Sequence, residues 1–528
     1  MKLKNKRMIR IISISVIAFL LVGSGILSFL QRKGKKEAMR RQSVLATEDE
    51  SAYNQPDIPE ITETAATTVS AADLVTPSDA VSQPVETQPT QPTEEKAVIK
   101  YVKTLKTTNI RKEDKATAGK ITSVPTGSLM EYVSESSARY QVKYAGNQTG
   151  WVAKSCCEIV EKEVIIRHTA RYVSGAPIDL KGTSEGDGLA SILKIKGTMG
   201  ASVAIIENGQ VAYHFEYGYA NKEDNKKVTE NTKFRIASVS KVFTSMLAMK
   251  QTDEGILDLD KDISDILGFK VRNPSFKTPI TTRMLLTHTS GLVDREKWYS
   301  QKINITLSDK NHYSSKPGTA FLYSNLGMGV AGAVVEKSAN QYISEYARDK
   351  FFQPMGIDAA YDAKYLSEPK LVADCYAGNK IDASNRYLTR SQAVGAPGVT
   401  YHLGAGGLLI SSEDLASVFT LLLNNGQYNG QQILSQKAVD EMLTKQCETK
   451  KNFEQCIGIR KFEKLVDNRD MYYHNGTAYG ILSLMALDMN DKSGVVVITS
   501  GADSTRNDNT VFAVCDDVLH YCYSDILK

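Results

Sequence analysis

Two apolar hairpins, one near residue 205 and one near residue 490, constrain this chain most. Ala201-Ser-Val-Ala-Ile-Ile206 and Val211-Ala-Tyr-His-Phe215 flank Asn208-Gly209, and Asn-Gly supplies the positive φ angles a tight hairpin needs. Ile481-Leu-Ser-Leu-Met-Ala-Leu487 and Gly494-Val-Val-Val-Ile-Thr499 make the second hairpin. Helical patterns fill the stretch between them, and a last helix is expected over about 508–525. Strands at both ends with helices between them predict an α+β fold. One antiparallel sheet closes by joining the two ends, with helices flanking it, over 175–528.

Ahead of that domain the charge is sharply partitioned. The whole chain is near neutral, at +4 over 528 residues, which gives no general case for nucleic-acid binding. Residues 1–41 hold 11 Lys/Arg and one acid, whereas 42–95 hold 11 acids and no Lys or Arg. Within the first segment Ile11 to Leu30 is free of charge. About 20 such residues in a helix span a bilayer core. The run is longer than the apolar region of a cleaved signal peptide and ends Ser28-Phe29-Leu30-Gln31-Arg32, a poor cleavage site. A single uncleaved transmembrane anchor is therefore expected. Basic residues on both flanks leave its orientation undetermined. Residues 42–95 include six Pro and nine Thr and no Gly. They cannot bury enough apolar surface to offset ordering entropy and read as a disordered spacer.

Alternating runs at Val98–Val102, Leu129–Val133 and Tyr140–Tyr144, with turns at Thr126-Gly127 and Ala145-Gly146-Asn147, predict a small β-barrel over 97–160. Asn109-Ile110-Arg111, Gly127 and Gly150-Trp151-Val152 resemble the bacterial SH3 family. That resemblance implies either a cell-wall peptide ligand or a structural spacer.

The chemistry starts at Phe234-Arg-Ile-Ala-Ser238-Val-Ser-Lys241. Apolar residues at 239, 242, 243, 246 and 247 have helical spacing, and Gly255 marks the end. Ser238 then stands at a helix N-terminus, where backbone N–H groups favour developing negative charge. Lys241, one turn on, reaches the same hydroxyl. A lysine in a partly dry site can act as the base that a serine nucleophile needs. Ser191–Lys194 and Ser367–Lys370 repeat the spacing, the second with Pro369 inside it.

Order and company raise this signal. Ser238-x-x-Lys241, Tyr323-Ser324-Asn325 and His474-Asn475-Gly476 occur in the sequence of the class C beta-lactamase-like serine hydrolases and penicillin-binding proteins. Met284–Leu292 and Gly406–Leu415 also look like signatures of that family. The resemblance covers about 190–525 and implies the beta-lactamase/transpeptidase-like fold. It implies Ser238, Lys241 and Tyr323 as catalytic groups. Asn325, His474, Gly476 and Thr477 are implied as substrate-binding positions. The N–H groups of Ser238 and Thr477 would form an oxyanion hole. His474 would orient the Tyr/Lys network or meet a substrate carboxylate, and His288 reads as structural.

The resulting expectation is a membrane-anchored, extracytoplasmic serine hydrolase that uses no cofactor or metal and cleaves D-amino-acid-containing cell-wall peptides. The same fold serves esterases and beta-lactamases, and a non-turning-over wall-binding or sensor protein is the alternative of another class. Among the 7 Cys, Cys447 and Cys456 could close a loop as a disulfide outside the cytoplasm. Cys515 and Cys522 read as small hydrophobes.

Overall fold

The computed structural model describes residues 95–527 except 145–147, 167–175, 296–297, 301, 392, 394, 450–452, 467–468 and 507–510. The chain divides into two units, Met1–Tyr53 and Asn54–Lys528, and all described residues belong to the second. The expected membrane span at 11–30 and nearly all of the acidic spacer lie outside the described residues. Among the described residues no helix is long and apolar enough to cross a membrane.

The first module is built from β1 (Glu95–Thr104), β2 (Thr108–Arg111), β3 (Lys120–Val124), β4 (Leu129–Glu135), β5 (Arg139–Tyr144), β6 (Gln148–Ala153) and β7 (Cys157–Ile166). The strands form one antiparallel sheet in the order β3-β2-β6-β5-β4-β1-β7. Among the described residues the hydrogen-bonded path runs from β3 at one end to β7 at the other. β1 and β7 pair over ten positions, Glu95 to Thr104 against Ile166 to Cys157, which carries the module past 160. One face buries Val102, Ile110, Val124, Val142 and Val152. Gly150 is required there, because a Cβ would stand 2.3 Å from Ile110.

The module rests on the next domain through helix α1 (Ser184–Ile195). Ser191 donates to the Leu129 carbonyl and Lys194 to the Gly127 carbonyl. Lys143 pairs with Asp525 at 3.6 Å. The Ser191–Lys194 repeat of the serine–lysine spacing is therefore engaged in packing two modules together. In the other repeat, Ser367 donates to Asp358 at 2.8 Å.

The second domain contains β8 (Ile178–Asp179), β9 (Gly200–Glu207), β10 (Gln210–Asn221), β11 (Lys226–Lys227), β12 (Cys447–Glu448), β13 (Glu454–Gln455), β14 (Arg460–Val466), β15 (Arg469–Ala478), β16 (Ile481–Asp488) and β17 (Ser493–Ser500). They make one sheet in the order β11-β10-β9-β17-β16-β15-β14-β13-β12, with β8 added beside β10. The two sequence hairpins meet as predicted, β9 against β17 from Gly200–Ser500 to Ile206–Gly494. Val203 and Ile205 face α1 and the last helix, α5 (Ala513–Tyr521). Ser202 faces the other way, its hydroxyl 2.6 Å from Ser412 on α4 (Ser412–Leu423). Helices thus cover both faces, which is why β9 reads as a continuous apolar run rather than an alternating one. Cys515 and Cys522 are fully buried in this core.

All seven cysteines are free thiols, so the loop that Cys447 and Cys456 could have closed carries no disulfide. Cys447 pairs across the ladder with Gln455. Cys456 stands one position out of register, and successive strand side chains point to opposite faces.

Candidate active site

The short β-bridge Phe234–Arg235 with Leu409–Ile410 leads into a 3-10 turn, Ala237–Val239, and then α2 (Ser240–Asp253). Ala237 has φ +49°. Such a non-glycine conformation costs of order 1–3 kcal/mol and persists only where its surroundings enforce it. Here the Ile236 N–H donates to Leu408 O at 3.1 Å, and Leu408 N–H donates to the Ser240 hydroxyl at 3.1 Å. Ser238 is thereby fixed at the start of a helix, where the first N–H groups lack intrahelical acceptors.

Lys241 is fully buried. Its Nζ donates to Ser238 Oγ at 2.7 Å and to Ala405 O at 2.6 Å. The same ammonium lies 5.2 Å from the centre of the Tyr323 ring. Beside Ala405, Gly404 packs against Gly332, where a Cβ would stand only 2.9 Å away. Nucleophile and candidate base are therefore in contact, as the helical spacing predicted, and Tyr323, the second proton carrier that the resemblance implied, lies beside them.

Tyr323 and Asn325 flank Ser324 at the start of α3 (Asn325–Ala339). Asp294 holds this entrance. It accepts from Ser324 Oγ, from the N–H groups of Asn325 and Leu326, and from Asn325 Nδ2 at 2.9 Å. Asn325 thus serves the helix start, with its amide nitrogen engaged by Asp294. His288 supports the same segment from below. Its Nδ1 accepts from Ser324 N–H at 3.2 Å, and its ring centre is 4.5 Å from that of Tyr323. Burial, with Lys241 and Arg460 nearby, pushes the His288 pKa well below its usual value.

The third wall is β15. Its pairing with β14 ends at Tyr473, so residues 474–478 turn an open edge toward the Ala237–Val239 turn. An open strand edge presents unpaired N–H groups. Gly476 lies against the nucleophile: a Cβ there would stand 2.8 Å from Ser238 N, 2.8 Å from Ile236 O and 2.6 Å from Ser483 Oγ. Thr477 follows on the same edge, half-buried. His474 is buried, with its ring centre 6.5 Å from that of Tyr323. Burial first, then Arg460 and Lys241, lower its pKa well below the usual value. The neutral ring donates Nδ1–H to the Asn475 carbonyl at 2.7 Å. It can orient neighbours but offers no charge to a substrate carboxylate.

Sequence reasoning missed Asp294 and Arg460. Arg460 is buried, donates Nη1–H to Asn475 Oδ1 at 3.1 Å, and lies over the Tyr323 ring at 5.3 Å. It is a fixed cation behind the phenol, and nothing in Ile457-Gly-Ile-Arg460 marks it. Asp294 opens the charged run Asp294-Arg-Glu-Lys297, which reads as an ordinary solvated loop. The Ala405 carbonyl, which accepts from Lys241, lies just before the Gly406–Leu415 segment and was not singled out either.

Chemically, the arrangement offers a hydroxyl with the Lys241 nitrogen in contact, a phenol ring with Lys241 and Arg460 close by, and N–H groups on a helix start and a strand edge. The beta-lactamase family pattern matches residues 189–514. Protein flp of Staphylococcus aureus (strain N315) is 30% identical over 167 residues, covering 30% of this chain and 33% of that protein. The matched stretch is thus about a third of that relative's length. A class C beta-lactamase structure aligns with TM-score 0.52 and 21% identity, over 67% of this chain and 98% of its own. The D-amino acid amidase from Ochrobactrum anthropi SV3, complexed with D-phenylalanine, aligns with TM-score 0.51 and 22% identity, over 65% and 99%. Those two likenesses establish the fold. The family match, covering more than half of the chain, establishes that this protein belongs to the beta-lactamase family of serine hydrolases.

Proposed function

We propose that the chain is a membrane-anchored, extracytoplasmic hydrolase that forms an acyl-enzyme on Ser238, with D-amino-acid-containing cell-wall peptides as its substrates. The observation that carries this reading is the buried contact of 2.7 Å between Lys241 Nζ and Ser238 Oγ. Lys241 in its neutral form takes the hydroxyl proton as Oγ attacks the substrate carbonyl. The oxyanion forms against the N–H groups of Ser238 and Thr477. Tyr323 passes a proton to the departing amine as the C–N bond breaks, and Lys241, protonated in the first transfer, returns one to the phenol oxygen. Water then attacks the acyl ester, returning the proton to this network and freeing Ser238.

Substrate preference follows from His474. A neutral, buried imidazole holds a penicillin carboxylate less firmly than a permanent cation would. A D-alanyl peptide or simple ester is therefore expected to show a higher kcat/KM than a chromogenic cephalosporin. Because the His474 pKa is lowered, the ring gains no charge as pH falls from 8 to 6, and that ratio should stay constant. A cephalosporin value near the diffusion range of about 10⁸ M⁻¹s⁻¹ would make beta-lactamase the better reading.

The anchor at 11–30 and the β-sheet module, read as SH3-like, would hold the site near the wall. Protease added to intact cells is then expected to cut within 42–95. Protection of that stretch until lysis would reverse the orientation.

A further inference from the structure

Away from Ser238, the edge of the sheet gathers a second set of chemistry-bearing side chains. The parallel pairing of β8 with β10 sets Asp179 directly opposite His214. Glu216 is two residues along the same strand, hence on the same face. One ligand atom from each of Asp179, His214 and Glu216 lies within 4.8 Å of the other two. Ligands 2.0–2.2 Å from a common ion fall within such a spread. His214 Nδ1 is 3.0 Å from Glu216 Oε2, and the two side chains are only 14% and 11% exposed. Glu413, in the first turn of α4, acts electrostatically on His214 from the other packed element. Three carboxylates therefore converge on one imidazole. Such like-charge crowding favours a positive charge at its centre, from the imidazolium itself or from a bound ion.

Glu413 and Pro177 line a polar cavity of about 770 Å³ that also includes Gln210, Ser417, Asn424 and Tyr428. Separation from the catalytic centre follows from strand order. β9, β17 and β16 stand between β10 and β15, about 19 Å at roughly 4.8 Å per strand.

We infer that Asp179, His214 and Glu216 form a binding site for a divalent first-row transition ion. Mixed imidazole and carboxylate donors suit Zn²⁺ or Mn²⁺, whereas Ca²⁺ and Mg²⁺ take oxygen ligands. The sequence concealed the set because Asp179 reaches the other two only through the β8–β10 pairing. The ion would tie the entry strand of the domain to the outer hairpin, in a structural rather than catalytic role.

The test is calorimetric titration of Zn²⁺ into the full chain after chelator treatment, beside His214→Ala, Glu216→Gln and Asp179→Asn. Glu216→Gln and Asp179→Asn preserve volume, and thermal melting without metal checks that each variant folds. The wild type should bind one equivalent at micromolar or lower concentration. Each folded variant should bind at least about 10-fold more weakly, the scale on which ligand-sphere changes act. Absence of binding below millimolar Zn²⁺, or one equivalent bound equally well by all three variants, would overturn the assignment.

Discussion

Ser238→Ala is expected to lower kcat on the best acyl substrate by about 10⁴-fold or more, the scale seen when a serine nucleophile is removed. The fold should tolerate the change. Ser238 is 4% exposed, and the substitution removes a single oxygen. Lys241 keeps its hydrogen bond to the Ala405 carbonyl. A loss of about 1 kcal/mol would shift the melting temperature by only about 2–4 °C. Lys241→Ala should lose most activity too, with a larger stability cost, since it empties a fully buried side-chain position and leaves a cavity. Retained turnover in folded Ser238→Ala would show that the nucleophile lies elsewhere. The two other serines with a lysine three residues on are engaged with the Leu129 carbonyl and with Asp358, so neither is poised to replace it.

The second large effect is expected at Gly476. An added methyl would meet Ile236 O and Ser238 N, both at 2.8 Å. Both are backbone atoms, so no side-chain rotation relieves the clash. Either β15 or the nucleophile turn must move, which disturbs the oxyanion hole proposed for the N–H groups of Ser238 and Thr477. Misplacing one oxyanion donor costs about 10²–10³-fold in kcat, and overpacking of this kind costs about 1–3 kcal/mol of stability. Gly476→Ala is therefore expected to reduce kcat by at least 10²-fold with a modest fall in melting temperature. Placing it on a Ser483→Ala background tests the cause. That change removes the Ser483 Oγ contact at 2.6 Å and leaves the backbone contacts, so activity should stay low. Rescue by Ser483→Ala would refer the effect to the hydroxyl rather than to the nucleophile turn.

Much of this site was legible because its determinants are local. The interval from Ser238 to Lys241 is one helical turn, and the contact between them follows once α2 begins where the apolar periodicity places it. The hairpins at 200–221 and 481–500 were legible from turn chemistry and β-rich runs, and their pairing followed from the need to bury both. What escaped depends on distant approach. Asp294 reaches α3 only because the intervening segment folds back on it, and Arg460 underlies Tyr323 from a strand more than 130 residues away. The first module shows the same limit. Its strands were visible as alternation, but whether the ladder closes depends on β3 and β7, and no local signal fixes their relation. The cysteine reading failed on register: a sequence interval can bring Cys447 and Cys456 near each other, yet the ladder sets Gln455 opposite Cys447.

The central claim is that Ser238 carries the acyl group. Intact-mass spectrometry of the full chain after brief exposure to a D-alanyl peptide ester, a short-chain ester or a penicillin tests it most directly, with peptide mapping of any adduct. The account predicts one acyl equivalent on the peptide that contains Ser238, none in Ser238→Ala, and loss of the adduct with time as water releases it. An adduct mapped to another residue, or turnover of these substrates with no acyl-enzyme on rapid quenching and no loss in Ser238→Ala, would contradict it.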